Sequence, residues 1–237
     1  MMKIAALQLV SRFALSPNQL GYCGRGTAGE RFKNCIQNGV STKVTEEVRK
    51  FIVLWPYLKT SGKSFKKDPF NYEVIESYCL GNDLLKKSKL KDYLSLLENF
   101  EKQGVPDWLI KDLKKHKPKK FIPTHLFQVL HVGVGRASGS VPYNLETINN
   151  CMFRWGKVTK IVKNGLTVEL NSLDKKFKIV KKTLSVKKVS FLIPKVKVKD
   201  TIAVHWGMPV KILTSIEVAK LEYWTKTVLK VVKPQLS

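Results

Sequence analysis

The chain has 237 residues, and with 43% hydrophobic and 26% charged residues it is neither a disordered chain nor a coiled coil. Its charge is unusual, because 43 Lys and Arg residues outnumber 18 Asp and Glu residues and give a formal net charge of +25. Such a surface attracts nucleic acid, an anionic membrane or an acidic protein. Only six of the basic residues are Arg, and an excess of Lys also fits an AT-rich or heat-adapted genome. Both explanations of the charge stay open at this point.

The cysteines and the apolar runs indicate the compartment. The chain has four widely spaced cysteines and no Cys-x-x-Cys pair, which predicts reduced thiols and no structural zinc site; they are Cys23, Cys35, Cys79 and Cys151. The apolar N-terminal stretch is interrupted by Gln8, Ser11 and Arg12 and does not have the pattern of a signal peptide. No run approaches the roughly 20 apolar residues of a membrane helix. We therefore expect a cytoplasmic protein.

Residues 1–120 have apolar side chains at helical spacing and are predicted to form a helical domain. The predicted helices are Met2–Ala14, Thr45–Lys59, Tyr72–Leu80, Asp83–Phe100 and Pro106–His116. Pro17-Asn18 is expected to end the first of them. Residues 121–150 are predicted to be a connecting segment. Its first part is apolar and is followed by the Gly-rich turn Gly133–Gly139. The glycine spacing of that turn matches neither a P-loop nor a dinucleotide-binding fingerprint, so no nucleotide site is predicted there.

From Arg154 onward the apolar residues alternate, which is typical of strands. Six short strands are predicted, at Lys157–Val162, Leu166–Leu170, Lys176–Val180, Val189–Ile193, Thr201–His205 and Pro209–Leu213. A final helix is predicted over Ser215–Val231, after a capping-box pattern. So many short strands in succession predict a small closed barrel. The predicted fold class is α+β: an all-α N-terminal domain, then an OB-like β-barrel with a C-terminal helix over residues 151–237.

Two motifs in the second half resemble the HypC/HupF family of hydrogenase assembly chaperones. The run Cys151-Met152-Phe153-Arg154-Trp155-Gly156-Lys157-Val158 is similar to the family's opening Cys and Gly-Lys-Val. The run Val196–Met208, which contains Val204-His205-Trp206-Gly207, is similar to its V-x-V-G-D-[YW]-[VI]-x-V-H-x-G-[FY] motif. Cys151 is internal here, whereas the family's Cys follows the initiator Met. Trp155 replaces a Pro of that family, and Lys199 replaces a Gly.

The whole chain is also similar to an uncharacterised prokaryotic family that is associated with hydrogenase gene clusters. This resemblance is carried by Leu20-Gly21-Tyr22-Cys23-Gly24, by Trp55-Pro56-Tyr57-Leu58, and by His125 and His131. It implies no established activity of its own. It does point to the same cellular context as the two motifs of the second half.

The HypC/HupF resemblance implies an accessory or chaperone protein of [NiFe]-hydrogenase maturation rather than an enzyme. In that family the Cys holds an iron atom with diatomic ligands and engages a maturation protein or the large-subunit precursor. Cys151 would accordingly hold the iron at the barrel rim, and His205 would be a second ligand, a hydrogen-bond donor to the site or a neighbour that lowers the thiolate pKa. This transient iron is the only cofactor implied. The expected partner contacts are Met152, Trp155, Trp206 and Trp224.

Three further residues are secondary candidates. Cys23 lies in a tight turn between Gly21 and Gly24, and it is either a second thiol site or simply part of the turn. His125 and His131 are six residues apart, a spacing that fits a strand face or the two ends of a turn better than one helix face. We expect both to be polar positions in a core segment rather than ligands. Without the resemblance, Cys151 would be interpreted as a small buried side chain.

Nucleic-acid binding, to RNA or DNA, is the alternative function. A small barrel is a common platform for oligonucleotides, and the net charge of +25 would supply affinity for phosphates. The predicted strands lack the row of aromatic residues on which bases stack, and only Phe177 lies between lysines. No Ser-centred motif or pair of catalytic carboxylates supports an enzyme.

Overall fold

The computed structural model describes residues 2–24, 26, 28–232 and 234, and of Met2 only the backbone. Its α-helices are α1 (Met2–Gln19), α2 (Ala28–Asn38), α3 (Val44–Arg49), α4 (Leu54–Phe65), α5 (Tyr72–Cys79), α6 (Leu90–Gln103), α7 (Asp107–Lys115), α8 (His125–Phe127), α9 (Leu145–Cys151) and α10 (Ser215–Val231). A 3-10 helix covers Asp83–Lys87, and a π-helical stretch, Gln128–Gly133, follows α8. The strands are β1 (Arg154–Val162), β2 (Gly165–Leu173), β3 (Ile179–Lys187), β4 (Thr201–His205) and β5 (Met208–Ile212). The α+β class, with helices before strands and a helix at the end, is as predicted.

The five strands form one antiparallel sheet in the order β3-β2-β1-β4-β5. In the register, Val158 of β1 lies opposite Val168 of β2, and Trp155 lies opposite Ala203 of β4. No ladder joins the edge strands β3 and β5 in the part of the chain described, so closure of the predicted barrel is not confirmed.

Two strand predictions are corrected. Val189–Ile193 is a turn, in which the Leu192 and Ile193 amides donate to the Val189 carbonyl, and its apolar character reflects the burial of Leu192 and Ile193. The third strand begins at Ile179 rather than Lys176, because the Asp174 carboxylate accepts from the Lys176 and Lys178 amides and holds a turn there.

The helix predictions also need correction at several boundaries. α1 continues through Pro17 to Gln19, because a proline near the end of a helix removes only one backbone hydrogen bond. α2 was not predicted, although its buried Phe32, Cys35 and Ile36 have helical spacing. The predicted helix Thr45–Lys59 is divided into α3 and α4, and Asp83–Phe100 into the 3-10 helix and α6. Residues 121–150, predicted as a connection, contain α8, the π-helical stretch and α9.

A continuous hydrophobic core joins the helices to one side of the sheet. It extends from α1 through Cys151, Met152, Phe153 and Trp155 to α10. The other side of the sheet covers a smaller core, made of Val158, Leu166, Val168, Leu170, Val186, Ile193, Val196, Ile202 and Val204. None of the helices in the described ranges combines the length and the apolar character that a bilayer crossing requires.

The last helix packs on the helical half of the molecule. Leu221, Trp224 and Val228 form its buried face, and the Lys220 ammonium lies 3.1 Å from a carboxylate oxygen of Glu76 in α5. Trp224 and Val228 lie on this one face. Ile216 and Tyr223 do not belong to it, because these side chains are 66% and 56% exposed. Helix α10 therefore packs beside α8 and the end of α5, and its Glu217 also pairs with Lys211 of β5.

Candidate metal centre

Three buried side chains from distant parts of the chain meet beside the sheet. His125 begins α8, Cys151 ends α9, and His205 ends β4. One ligand atom from each of the three lies within 4.8 Å of the other two. A thiol and two imidazoles at this separation could hold a metal ion.

Cys151 is held in place through the residues that precede it in α9. The Asn149 side chain donates to the Leu173 carbonyl at 3.0 Å and accepts from the Leu173 amide at 2.7 Å, which ties α9 to the end of β2. The Asn150 carbonyl accepts from the Trp206 amide at 2.7 Å, which ties α9 to the turn after β4. Burial raises the pKa of the Cys151 thiol well above its usual value, so the thiol is protonated at neutral pH.

His205 has a defined tautomer. Its Nδ1–H donates to the Phe13 carbonyl of α1 at 2.7 Å. That carbonyl would ordinarily accept from the amide four residues later, but residue 17 is Pro and has no N–H. Burial lowers the pKa of His205 well below its usual value, so the ring is neutral and its Nε2 carries a lone pair. This buried nitrogen has no hydrogen-bond partner among the residues described.

His125 contacts polar groups through both ring nitrogens. Its Nε2 lies 2.8 Å from the Cys151 carbonyl oxygen and 3.6 Å from the Cys151 sulfur. Its Nδ1 lies 2.9 Å from the Tyr78 hydroxyl, which also hydrogen bonds with the side-chain amide of Gln128. Burial lowers the pKa of His125 to about 4. The ring is therefore neutral and carries one N–H, either on Nε2 toward the Cys151 carbonyl or on Nδ1 toward the Tyr78 oxygen, whose own proton is donated to Gln128 Oε1.

Aromatic rings fix the orientation of both imidazoles. His125 stacks on Phe153 at a centroid distance of 4.0 Å and an interplanar angle of 9°. His205 meets His125 edge to face at 5.2 Å and Phe153 edge to face at 4.7 Å. Neither ring can turn without displacing core side chains, so the nitrogen positions are set before any ligand arrives.

The turn that follows His205 is strained and held from several sides. Trp206 and Gly207 connect β4 to β5 with φ angles of 50° and 69°, the left-handed region, which costs a non-glycine residue about 1–3 kcal/mol. The Ser16 hydroxyl donates to the Trp206 carbonyl at 3.3 Å, and the Trp206 ring packs on Tyr22 at 4.5 Å. The Trp206 indole N–H is buried near the Cys151 thiol and makes no complete hydrogen bond within the described residues.

A cavity of about 390 Å³ leads to the three side chains. His125, Cys151 and His205 form part of its wall. The wall also includes the exposed residues Gly21, Lys50 and Ser138, so the cavity connects the buried donors to the surface. The resemblance implies a thiol at an exposed rim. In the structure the Cys151 thiol is instead reached through a cavity.

The donor set suits a soft or borderline transition metal such as zinc, iron or cobalt. With bond lengths of about 2.0–2.3 Å, neighbouring ligands of a tetrahedral ion lie about 3.5 Å apart. The separation of 3.6 Å between His125 Nε2 and the Cys151 sulfur matches that value. Since the three ligand atoms lie within 4.8 Å of one another, the widest pair would have to close by no more than about 1.3 Å around an ion.

The structure brings three of the sequence candidates together. Cys151 and His205 are neighbours, whereas His125, expected to be an ordinary core position, is the third member of the cluster. The spacing between His125 and His131 could not reveal the cluster, because the neighbours of His125 come from α9 and β4. His131 instead lies 2.8 Å from the Tyr93 hydroxyl, in the π-helical stretch and not on a strand or turn. The sequence feature that could have identified His125 as a ligand is its position as a titratable residue inside an apolar segment.

The other candidates have different positions. Cys23 lines the cavity outside the cluster, and burial raises the pKa of its thiol to about 11. Met152, Trp155 and Trp224 were expected to contact a partner, but all three are buried in this chain's own core and present no surface to one. Trp206 is half-buried and lines the cavity.

Comparison with known proteins finds one family. The model of a family described as "Family of unknown function (DUF6390)" matches residues 3–237. The chain has no match among curated proteins or among solved structures.

Proposed function

The chain belongs to the DUF6390 family, whose function is unknown, and we propose that it is a metal-binding accessory protein with Cys151, His125 and His205 as ligands. The observation that carries this proposal is the convergence of His125, Cys151 and His205, together with a buried Nε2 of His205 that makes no complete hydrogen bond among the described residues. A buried polar atom without a partner costs about 1–3 kcal/mol. A metal ion accepts the lone pair of that nitrogen and removes this cost.

Metal binding requires two proton movements that the surrounding groups support. The Cys151 thiol releases its proton, since a coordinating thiol is deprotonated by the metal. His125 must carry its proton on Nδ1 to free Nε2. The Tyr78 hydroxyl can accept from Nδ1–H while donating its own proton to the Gln128 amide oxygen. Each ring would then donate its remaining N–H to a fixed acceptor, as metal-bound histidines do.

The pathway we propose is [NiFe]-hydrogenase maturation. The motifs around Cys151 and His205 resemble those of the HypC/HupF chaperones, and the adjacency of these two residues supports the assignment. The metal would then be an iron atom with its diatomic ligands. The partner would be a maturation protein or the precursor of the large subunit.

The metal site is tested by anaerobic titration of the full-length protein with Co(II). We expect a near-ultraviolet absorption band from thiolate-to-cobalt charge transfer, together with visible bands of a low-coordinate ion. Cys151→Ser should abolish the charge-transfer band, and His205→Gln should weaken binding at least tenfold. Cys35→Ala, a change in the core of α2, is the matched control and should bind Co(II) normally. Equal binding by Cys151→Ser would disprove the site.

The pathway is tested by co-purification with hydrogenase maturation proteins and the large-subunit precursor. We expect the wild-type chain and Cys35→Ala to retain a partner or iron, and Cys151→Ala to lose both while staying folded. Normal Co(II) binding without any such association would contradict the proposed pathway and support a metal-binding protein that acts elsewhere.

A further inference from the structure

The cavity is larger than a metal ion requires. Its volume of about 390 Å³ is more than ten times the roughly 30 Å³ that one water occupies in the liquid. It also falls within the usual range of small-molecule sites, about 300–1,000 Å³. Three protein donors leave one position of a tetrahedral ion open, the arrangement of metal sites that bind an exogenous ligand. We propose that a small carboxylate with an apolar body occupies this position and fills the cavity; this rests on the metal site proposed above but on no particular pathway.

The charge around the cavity favours an anion. A divalent ion with one thiolate and two neutral imidazoles has a net charge of +1, and a monoanionic ligand neutralises it in a buried site. No Asp or Glu is among the described residues that line the cavity, whereas Lys50 is. The Glu47 carboxylate is shared between Lys50 and Arg31, so it does not balance both cations.

The Trp206 indole favours a ligand with a second acceptor atom. Its N–H lies beside the Cys151 sulfur in the cavity wall and makes only an incomplete hydrogen bond to it. A carboxylate that binds the metal through one oxygen can accept from this N–H through the other. Such a hydrogen bond to a charged group contributes about 1.5–3 kcal/mol, and a neutral alcohol cannot replace it.

The remaining wall selects the body of the ligand. Val10, Phe51, Val129, Val132 and Val141 contribute apolar side chains to the cavity. An alkyl or aromatic body removes this surface from water, whereas a polar body would lose hydrogen bonds there. Small apolar carboxylic acids are therefore the class of ligand that fits both ends of the cavity.

The experiment uses the full-length protein loaded with Co(II) and titrated with acetate, butyrate and hexanoate. We expect the visible bands of cobalt to change with each acid. Affinity should rise about fourfold for each methylene, which corresponds to about 0.8 kcal/mol. Hexanoate should therefore bind about two orders of magnitude more tightly than acetate. Hexanol, with the same body and no carboxylate, should leave the bands unchanged.

Two variants test the individual contacts. Trp206→Phe should weaken hexanoate binding at least about tenfold per cobalt-loaded molecule, whereas Tyr223→Phe, on the exposed face of α10, should not. If Cys23→Ser alters the cobalt charge-transfer band, Cys23 supplies the fourth ligand and the inference is overturned. Cobalt binding without a response to any carboxylate overturns the inference alone. Absence of cobalt binding overturns it together with the proposed metal site.

Discussion

His205 has its Nδ1 proton fixed by a carbonyl that belongs to the first helix of the chain, 192 residues away. The carbonyl of Phe13 is available because Pro17 cannot donate to it, and the proline ring also pushes the carbonyl out of the helix. A residue with no polar side chain therefore helps to decide which nitrogen of His205 has a free lone pair.

Replacing Pro17 by Ala should weaken metal binding although α1 becomes a better helix. The new amide would compete for the Phe13 carbonyl, and loss of such an outer hydrogen bond costs a metal site about tenfold in affinity or more. Nitrogen NMR of the His205 ring should show a mixture of tautomers, and Co(II) titration gives the affinity. Pro106→Ala, at the start of α7, is the control and should change neither. Unchanged spectra and affinity in Pro17→Ala would show that the carbonyl does not set the tautomer.

At the scale of elements, the position of α10 depends on a glycine in the segment after α5. Gly81 has a φ of +83°, and a Cβ at this position would lie 2.2 Å from Cδ1 of Trp224. The indole therefore packs directly on the backbone. This contact holds α10 against the segment that follows α5.

Gly81→Ala should destabilise the protein more than Gly104→Ala does. Gly104 has almost the same φ, +82°, but open space around its Cα, so its replacement costs only the left-handed strain of about 1–2 kcal/mol. Gly81→Ala adds the displacement of Trp224. Urea unfolding of both variants measures the difference, and combining Gly81→Ala with Trp224→Ala should cost less than the sum of the two. Equal losses in the two glycine variants would contradict the direct packing.

The elements with strong local signals were predictable from sequence. The bounds of α10 follow from its capping box, in which the Thr214 hydroxyl accepts from the Glu217 amide, and β4 is correctly bounded by its alternation and the Trp206-Gly207 turn. The break between α3 and α4 was not predictable, because Val48, Phe51 and Trp55 keep helical spacing across it. That break comes from tertiary packing, which buries Phe51 in a turn.

The candidate site was predictable only in part, for a related reason. The resemblance to the HypC/HupF motifs predicts Cys151 and His205 as site residues. The sequence spacing of His125 does not indicate that it lies near either of them. Periodicity reveals partners that share a helix or a strand. The three donors here come from α8, α9 and β4, and only the packing of these elements against α1 determines that they meet.

At the scale of the molecule, buried neutral histidines make the stability depend on pH. Burial lowers the pKa of His131 to about 4, whereas in the unfolded chain it is about 6.5. Between these values the unfolded state binds more protons, so the free energy of unfolding falls as the pH is lowered through this window. Above pH 6.5 the contribution of the neutral ring is fully present.

His131→Phe should flatten this dependence. Removing one titrating group reduces the slope by up to about 1.4 kcal/mol per pH unit between pH 6.5 and 4. The Tyr93 hydroxyl keeps its hydrogen bond to the Leu113 carbonyl in the variant, so the core should stay folded. Urea unfolding at a series of pH values measures the slope, and an unchanged slope would show that folding does not lower the pKa of His131.

The net charge of +25 bears on the alternative function of nucleic-acid binding. Phe177, the aromatic residue expected among the strand lysines, is half-buried and packs against the core. We therefore expect binding to generic DNA or RNA to be non-specific and to be lost between about 50 and 200 mM salt, as binding by phosphate contacts alone is. Binding that persists at the higher salt concentration would favour the nucleic-acid function over the one proposed.

The hydrogen bond between Phe13 and His205 also sets an order of events during synthesis of the chain. The helix that carries the carbonyl leaves the ribosome first, His125 and Cys151 follow, and His205 comes late. A nascent chain has at most two of the three donors and no neighbour for the last imidazole. The metal site proposed above would therefore be complete only after β4 has paired with β1.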